Sequence, residues 1–584
     1  MGRKRSNRRG SPSRALVPVS PSPAIGHNSG ADQTMGGGLE GANRSSREMA
    51  SWRPHLGSPD SAISLGKELA DARSNDMVMN DGFAMGAVQV HKDSIVGSHF
   101  RLNSSPDWEI LRDIHNPTNA TQEQWIEWAE LYQARVERLF NLSAESDACW
   151  LDASRRMTLT EMVRLGVGSF VSTGEIVTTG EWIRESARPF NTAVQVISPA
   201  RLSNPNNMPD DKRTRGNRMV RGIEIDFRGR HVAYHFQQAH PGDFGAPGQL
   251  TWKRVEAEKP WGRKQVIYIN DPMAPEQTRG IAAMVSALEN MKMTKNFRKV
   301  TLQNAVVNAS YAASIESELP SYDIIAAMGG GSDKNGLETY LKSYLDMLQD
   351  YMGGSNNIQL DGAMIPHFFP GTKLNTRPLG TPGGVGTDFE ASLLRYTAAA
   401  LGLSYSQFSR DYSKLSYSGI RGELGETEKF FKSRKKSTAD KYATAIMCLW
   451  HEEQVGKGSI PLPPGWTRDD YYRPFAREAL TKCKWIGTGR GQIDELKETQ
   501  AAILRIKAGL STREEEIAKL GNDFREVLAQ LEREEKLIEA HNLSGKLSLD
   551  AERSSSGASS QGTLQEAEDD GNTGANNQNS DQED

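Results

Sequence analysis

DFEASLLRYTAAALGLSYSQFSRDYSKLSYSGIR, residues 388–421, joins two kinds of sequence. Its first half is alanine-rich, opens with Asp388 in a first turn and stops at Gly402, as a helix does. Its second half contains SRDYSKLSYSG, residues 409–419, with four serines, two tyrosines, one Arg and one Lys. The stretch that follows, IRGELGETEKFFKSRKKSTADKYATAIMCLWHEE, returns to a helical period and is basic in its middle. The hydroxyl-rich bridge between the two helices has three readings: a nucleophilic serine, a surface that touches a polyanion, or a solvated connection.

The bridge lacks the GxSxG turn that exposes a hydrolase serine, and no histidine stands close to it in sequence. Arg410 and Lys414 bracket hydroxyls that suit phosphate contact without base specificity. The solvated loop stays open on these residues alone. So does a hydrolase or protease using Ser409, Ser413, Ser416 or Ser418.

Upstream, LGKELADARSNDMVMNDGFAMGAVQVHKDSIVG is helical with breaks, and TQEQWIEWAELYQARVERLFNL carries Trp125, Trp128, Leu131 and Val136 near helical spacing. After LTEMVRLGVGSFVSTGE come short alternating segments, TAVQVIS, MVRGIEIDFRGRHVAYHF and KQVIYIN, which predict a small sheet. The period then changes back. TRGIAAMVSALENMKMTKNFRKVTLQNAVVNASYAASIESELP predicts one helix of about 40 residues, on the order of 60 Å long. Ile281, Met284, Val285, Leu288 and Met291 give it an apolar face, and Lys292, Lys295 and Lys299 line another, which a solvated face would also explain.

From Pro320 to Gly386 the chain is glycine-rich, with one helical piece, LETYLKSYLDMLQDYM, and a strand-like pair, NNIQLDG and MIPHFF. Near the other end, IDELKETQAAILRIKAGLSTREEEIAKLGNDFREVLAQLEREEKLIEA predicts a helix, a turn at Gly509 and Ser511, and a second helix.

A chain of 584 residues exceeds one ordinary core, yet only 37% of it is apolar. The deficit lies at the ends: a basic arm, MGRKRSNRRGSPSR, and an acidic tail from Ser554 onward, both expected to be disordered, with the packed part from roughly 60 to 545. The formal net charge of −4 hides that asymmetry. Cys149, Cys448 and Cys483 form no CxxC pair, so neither a disulfide framework nor a zinc site is expected. His231 and His235 share a strand face but would stand about 13 Å apart, too far for one metal. No metal, cofactor or catalytic residue is expected. No apolar run suits a membrane span or a signal peptide, and the absence of GxxxxGK[ST] leaves ATP hydrolysis to a partner.

The segment 388–421 resembles the hallmark of lambda-type tailed-phage portal proteins. Three further segments agree in order: DARSNDMVMNDGFAMGAVQVHKDSIVG, GIEIDFRGRHVAYHF and TRGIAAM, followed near the end by IKAGLST and LGNDFREV. The likeness spans roughly 60 to 540.

The resemblance implies an α+β portal fold, mainly helical with a small wing sheet and a clip. It implies a ring of about twelve identical subunits closed by rotation around a central channel for double-stranded DNA. Mapped here, 1–59 is the basic arm, 60–278 the wing, 279–319 the long helix into the stem and 320–386 the clip. Residues 387–403 are the second stem helix, 404–419 the channel loop, and 420–455 a long helix crossing the ring. Residues 456–545 end the wing and form a helical crown, and 546–584 are the acidic tail. In this scheme Arg410, Lys414, Ser409, Ser413 and Ser416 contact passing DNA, and Lys292, Lys295 and Lys299 are candidate channel-lining cations.

The implied partners are the terminase large subunit, head-tail adaptor or completion proteins, and the major capsid and scaffold proteins. The implied location is the portal vertex of the virion, reached from the host cytoplasm during assembly. A structural head or tail component that never meets DNA is the remaining rival.

Overall fold

The computed structural model describes residues 49–310, 385–489 and 494–541 except 212, 244, 414 and 415. It also describes positions 42 and 47, a few helical positions between 339 and 349, and residues 358–360 and 363–365. The basic arm, most of the clip stretch, the acidic tail and Lys414 lie outside the described residues. Of the residues up to Gly57, the described ones include a turn in which the Trp52 amide donates to the Met49 carbonyl at 3.1 Å.

The described residues from Ser58 onward belong to one mixed α+β unit. Helices α1 (Pro59–Asn80) and α2 (Gly82–Ile95) meet at Asp81, whose carboxylate accepts the Phe83 and Ala84 amides at 3.0 and 3.1 Å. The stretch read as helical with breaks thus breaks here. Strand β1 (Arg101–Ser104), helix α3 (Trp108–Ile114) and helix α4 (Gln122–Ala144) follow. A Thr121–Gln124 capping box starts α4, which buries Trp125, Trp128, Tyr132, Val136 and Phe140. Leu131, expected on that face, is exposed instead, because the stripe follows Tyr132.

Helix α5 (Leu159–Thr173) ends at Gly174, φ +79°, and turns straight into β2 (Glu175–Trp182). Strand β3 is Thr192–Val196, β4 is Arg213–Thr214, β5 is Asn217–Val220 and β6 is Ile223–Ile225. Strands β7 (His231–Gln237), β8 (Trp252–Glu256) and β9 (Val266–Asn270) complete the region. The expected single small sheet is two: three strands in the order β3-β2-β9, and five in the antiparallel order β4-β5-β6-β7-β8. The second has its own apolar cluster around Ile223, Tyr234 and Phe236.

The expected 40-residue helix is shorter at its start. Ala283–Ala287 form a 3₁₀ turn, and helix α6 runs over Leu288–Ser310. Residues 278–280 cannot be helical because they are bound elsewhere. Asp60 accepts the Thr278 amide at 2.7 Å and its hydroxyl at 2.8 Å. Arg279 grips Glu175 through two bonds of 2.7 and 2.8 Å, both residues buried, and also donates to the carbonyls of Pro199, Leu202 and Arg221. Gly280 passes so close to Gly174 that a Cβ on it would lie 2.2 Å from the Gly174 carbonyl oxygen.

Strands β10 (Ile358–Leu360) and β11 (Ala363–Ile365) pair antiparallel, as expected. Helix α7 (Val385–Leu401) packs on α6, and short helix α8 (Tyr405–Ser409) follows. The long basic helix is two, α9 (Tyr417–Ser437) and α10 (Ala439–Lys457), broken at Thr438. There the Thr438 hydroxyl donates to the Arg434 carbonyl at 2.6 Å, a contact that bends helices. Helix α11 (Ala476–Leu480) leads into β12 (Cys483–Ile486), which pairs with β1 across the length of the chain. Helices α12 (Glu495–Lys507), α13 (Arg513–Lys519) and α14 (Phe524–Ala540) end the described chain. Among the described residues no helix is long and apolar enough to cross a membrane.

Burial alone would push the Glu175 carboxyl up, but the charges of Arg279 and then Lys67 outweigh it and hold it below the usual range. Glu175→Gln leaves a buried guanidinium without its counter-charge, so it is expected to lower stability by roughly 3–5 kcal/mol in chemical denaturation.

Glu137 behaves oppositely. Burial pushes its carboxyl up to about 7, although it accepts the Ser104 amide at 2.8 Å and the Gln133 amide group at 3.1 Å. A raised carboxyl favours the folded state at low pH and loses that contribution as pH climbs from the ordinary value toward 7. Glu137→Gln is therefore expected to raise the melting temperature at pH 8 relative to the parent, with little change at pH 5.

Candidate nucleic-acid interface

The exposed part of the hydroxyl-rich bridge is shorter than the sequence suggested. Residues 405–409 are helix α8 and α9 begins at Tyr417, which leaves 410–416 as the connection. Helix α7 stops in a left-handed turn at Gly402, φ +71°, where a Cβ would lie 2.3 Å from the Phe430 ring. Ser404 then caps α8 by accepting the Gln407 amide at 3.3 Å. Phe408 is buried and packs on Phe83, ring centres 5.5 Å apart. The Ser406 hydroxyl donates to Glu423 of α9, so the two sides of the link are tied to each other.

Arg410 is exposed and sits in the left-handed region, φ +59°, its amide closing α8 on the Ser406 carbonyl at 2.8 Å. The candidate serines are engaged locally. Ser409 donates to the Tyr405 carbonyl at 2.7 Å. Ser413 donates to Asp411 at 2.6 Å while its amide donates to the same oxygen at 3.0 Å, an Asx turn. Ser416 caps α9 by accepting the Gly419 amide at 3.3 Å and lies 3.2 Å from the Ser418 hydroxyl. Among the described residues none of these hydroxyls has an imidazole partner. Among the described residues the loop presents the Arg410 guanidinium, Asp411 and the half-exposed Tyr412 ring outward.

The lysines of α6 divide. Lys292 and Lys299 are exposed, whereas the Lys295 ammonium donates to the Asn80 carbonyl at 2.7 Å, capping the end of α1. Between them Arg298 pairs with Glu390 of α7 and lies 4.0 Å over the Phe83 ring, while Phe297 meets Phe389 edge-on at 5.9 Å. Of the residues that fix the loop and helices α6 and α7, Gly402 was singled out from the sequence, while Ser404, Phe408, Phe430, Phe83, Phe297 and Arg298 were not. The S-x-x-Q run at 404–407, directly after a helix-ending glycine, is the signal that would have found the cap.

His231 and His235 do not meet: the first bonds the Tyr234 hydroxyl at 2.9 Å and the second Glu224 at 2.7 Å. Among the described residues no three His, Cys, Asp or Glu side chains gather as a metal site would need.

This arrangement of a helix, a short pinned link and a basic helix falls in the segment that carries the likeness to portal proteins. The family model for phage portal proteins of the lambda family matches residues 45–435. The portal protein of Escherichia phage N15 is 37% identical over 502 residues, covering 85% of this chain and 88% of that protein. Portal protein B of Escherichia phage lambda is 36% identical over 488 residues, covering 83% and 87%. The chain belongs to the lambda family of phage portal proteins. Among solved structures, the neck of an empty gene transfer agent particle aligns at TM-score 0.33 and 13% identity, over 81% of this chain and 97% of that one.

Gly402→Ala adds a Cβ against Phe430 and forces alanine into the left-handed region, so it is expected to cost more than about 1 kcal/mol. Faster proteolytic cleavage within 410–416 than in the parent would register the loss of the pinned loop.

Proposed function

We propose that this chain is the subunit of a ring at the portal vertex of a tailed-phage or related particle, through whose channel double-stranded DNA is packaged and ejected. The observation that carries the reading is the family membership across 45–435, with identities of 36–37% to two phage portal proteins over most of the chain. About twelve copies closed by rotation is the expected ring. In this reading 60–278 is the wing, 279–319 and 387–403 the stem, 320–386 the clip, and 404–419 the channel segment. The helices from 420 to 455 cross the ring, and 456–545 end the wing and form the crown. The partners are the terminase large subunit, adaptor or completion proteins, and the major capsid and scaffold proteins, met in the host cytoplasm during assembly.

In the channel, Arg410 supplies the sparse positive charge, with Lys414 beside it in sequence. A surface along which DNA slides needs weak, sequence-independent phosphate contact, which isolated cations give and a dense basic patch would not. The serines act by holding the backbone, since their hydroxyls are spent on turns and caps. Lys292 and Lys299 are the remaining candidates to line the channel. Lys295, bound to Asn80, holds α6 on α1.

Electron microscopy and native mass spectrometry of the purified protein test the ring: closed assemblies with a central hole are expected, and monomers at every salt concentration would refute it. Arg410→Ala with Lys414→Ala is expected to leave rings intact and lower retained DNA severalfold. A packaging assay at parental yield would remove these cations from the mechanism.

A further inference from the structure

Four large aromatic side chains stand together on the surface away from the candidate DNA loop's own contacts. Trp182 is 50% exposed, Trp261 53%, Tyr472 52% and Phe475 73%. They come from the end of β2, the turn between β8 and β9, and the segment before α11. One buried-side carboxylate organises them. Glu452 Oε1 accepts the Trp261 indole N–H at 3.0 Å and the Tyr472 hydroxyl at 2.8 Å, and its other oxygen accepts Arg263 at 2.5 Å. Arg263 in turn lies 5.8 Å over the Trp182 ring. Arg477 donates to the Gly262 carbonyl at 2.7 Å, which ties the Trp261 turn to the Phe475 segment.

Phe475 adds a second, independent sign. Its φ is +63°, a conformation that costs a bulky residue energy, and its ring gains no burial in return. Aromatic rings held rigid by hydrogen bonds yet left in water are the composition of a binding hot spot. The guanidiniums here are already occupied, Arg263 by Glu452, Arg473 by Asp470 and Arg477 by Glu478, so the patch does not suit a polyanion. Arg184 and Lys264 are exposed cations on the same turns and Lys259 is half-buried, while Glu185 lies in the field of Arg188.

The same chain carries a face that complements it. Helix α14 buries none of its residues, although Val527, Leu528, Leu531 and Ile538 form one apolar stripe, with Glu535 on it and Glu532, Glu534 and Glu539 beside it. Its contacts to the body lie at its first turn, where Arg525 meets Gln133 at 2.8 Å and Glu526 meets Arg101. An apolar helical stripe left in water needs a partner. A head-to-tail ring needs two different, complementary faces on one subunit.

We infer that the aromatic patch at Trp182, Trp261, Tyr472 and Phe475 receives the leucine- and glutamate-bearing face of α14 from a second copy of the chain. The inference rests on the ring reading above and names the contact that closes it. Two variants test it. Phe475→p-benzoylphenylalanine in the full chain is expected to photo-cross-link subunits, with the linked peptide falling within 524–540. Cross-links to another segment, or rings that form without any, overturn the inference and leave the ring reading standing. A parent protein that forms no rings refutes the ring reading itself, and this inference with it.

Trp261→Ala with Phe475→Ala is expected to lower the assembled fraction at least about tenfold at fixed concentration. Glu532→Lys with Glu535→Lys, both exposed, is expected to do the same at an unchanged monomer melting temperature. Full assembly of both variants would exclude this contact.

Discussion

The guanidinium of Arg279 and the carboxylate of Glu175 lie out of water together, and most of the architecture is arranged so that they can. A buried charge is tolerable only when its partner and its remaining hydrogen bonds are all supplied. Here they arrive from four directions: the corner of α5 and β2 brings Glu175, the sheet region offers three carbonyls, β9 offers the Tyr268 hydroxyl at 2.8 Å, and α1 brings Lys67 within 3.9 Å of the carboxylate. The chain enters α6 immediately afterwards. The direction in which α6 leaves the body is thereby set by the knot at its foot, and Gly174 and Gly280 are glycines because their backbones touch there.

The helices were legible because amphipathic periods, capping residues and glycine stops are local. The Asp81 break, the Thr121 and Thr158 capping boxes and the Gly402 stop could each be read from a few neighbouring letters. The false extension of α6 back to Thr278 fails for the opposite reason. TRGIAAM has the composition of a helix start, but Asp60, far away in sequence, takes its first donors. The division of the sheet into two, and the pairing of β1 with β12, likewise depend on distant partners.

The bridge at 409–419 shows the same limit within a functional segment. Serines suit a nucleophile, a phosphate contact or a helix cap, and composition does not separate the three. The structure puts Ser404 and Ser416 at helix starts and Ser413 in a turn shaped by Asp411. The polar richness of the link therefore serves its geometry: it lets a short exposed run change direction between two packed helices without wasting a backbone group. The exposed cation stands on that frame. Family membership, carried by several segments in order, was the most secure inference available from letters alone.

The pairing of Arg101 with Ile486 and of Ser104 with Cys483 has a consequence for synthesis. One strand of this ribbon leaves the ribosome long before its partner, so at roughly 5–20 residues per second the first waits tens of seconds with an open edge. The body cannot close until β12 has emerged. A nascent chain is thus kept from completing its fold, and from offering finished surfaces to its neighbours, while it is still tethered. Polysomes that carry many such chains side by side gain a delay before any two of them can join.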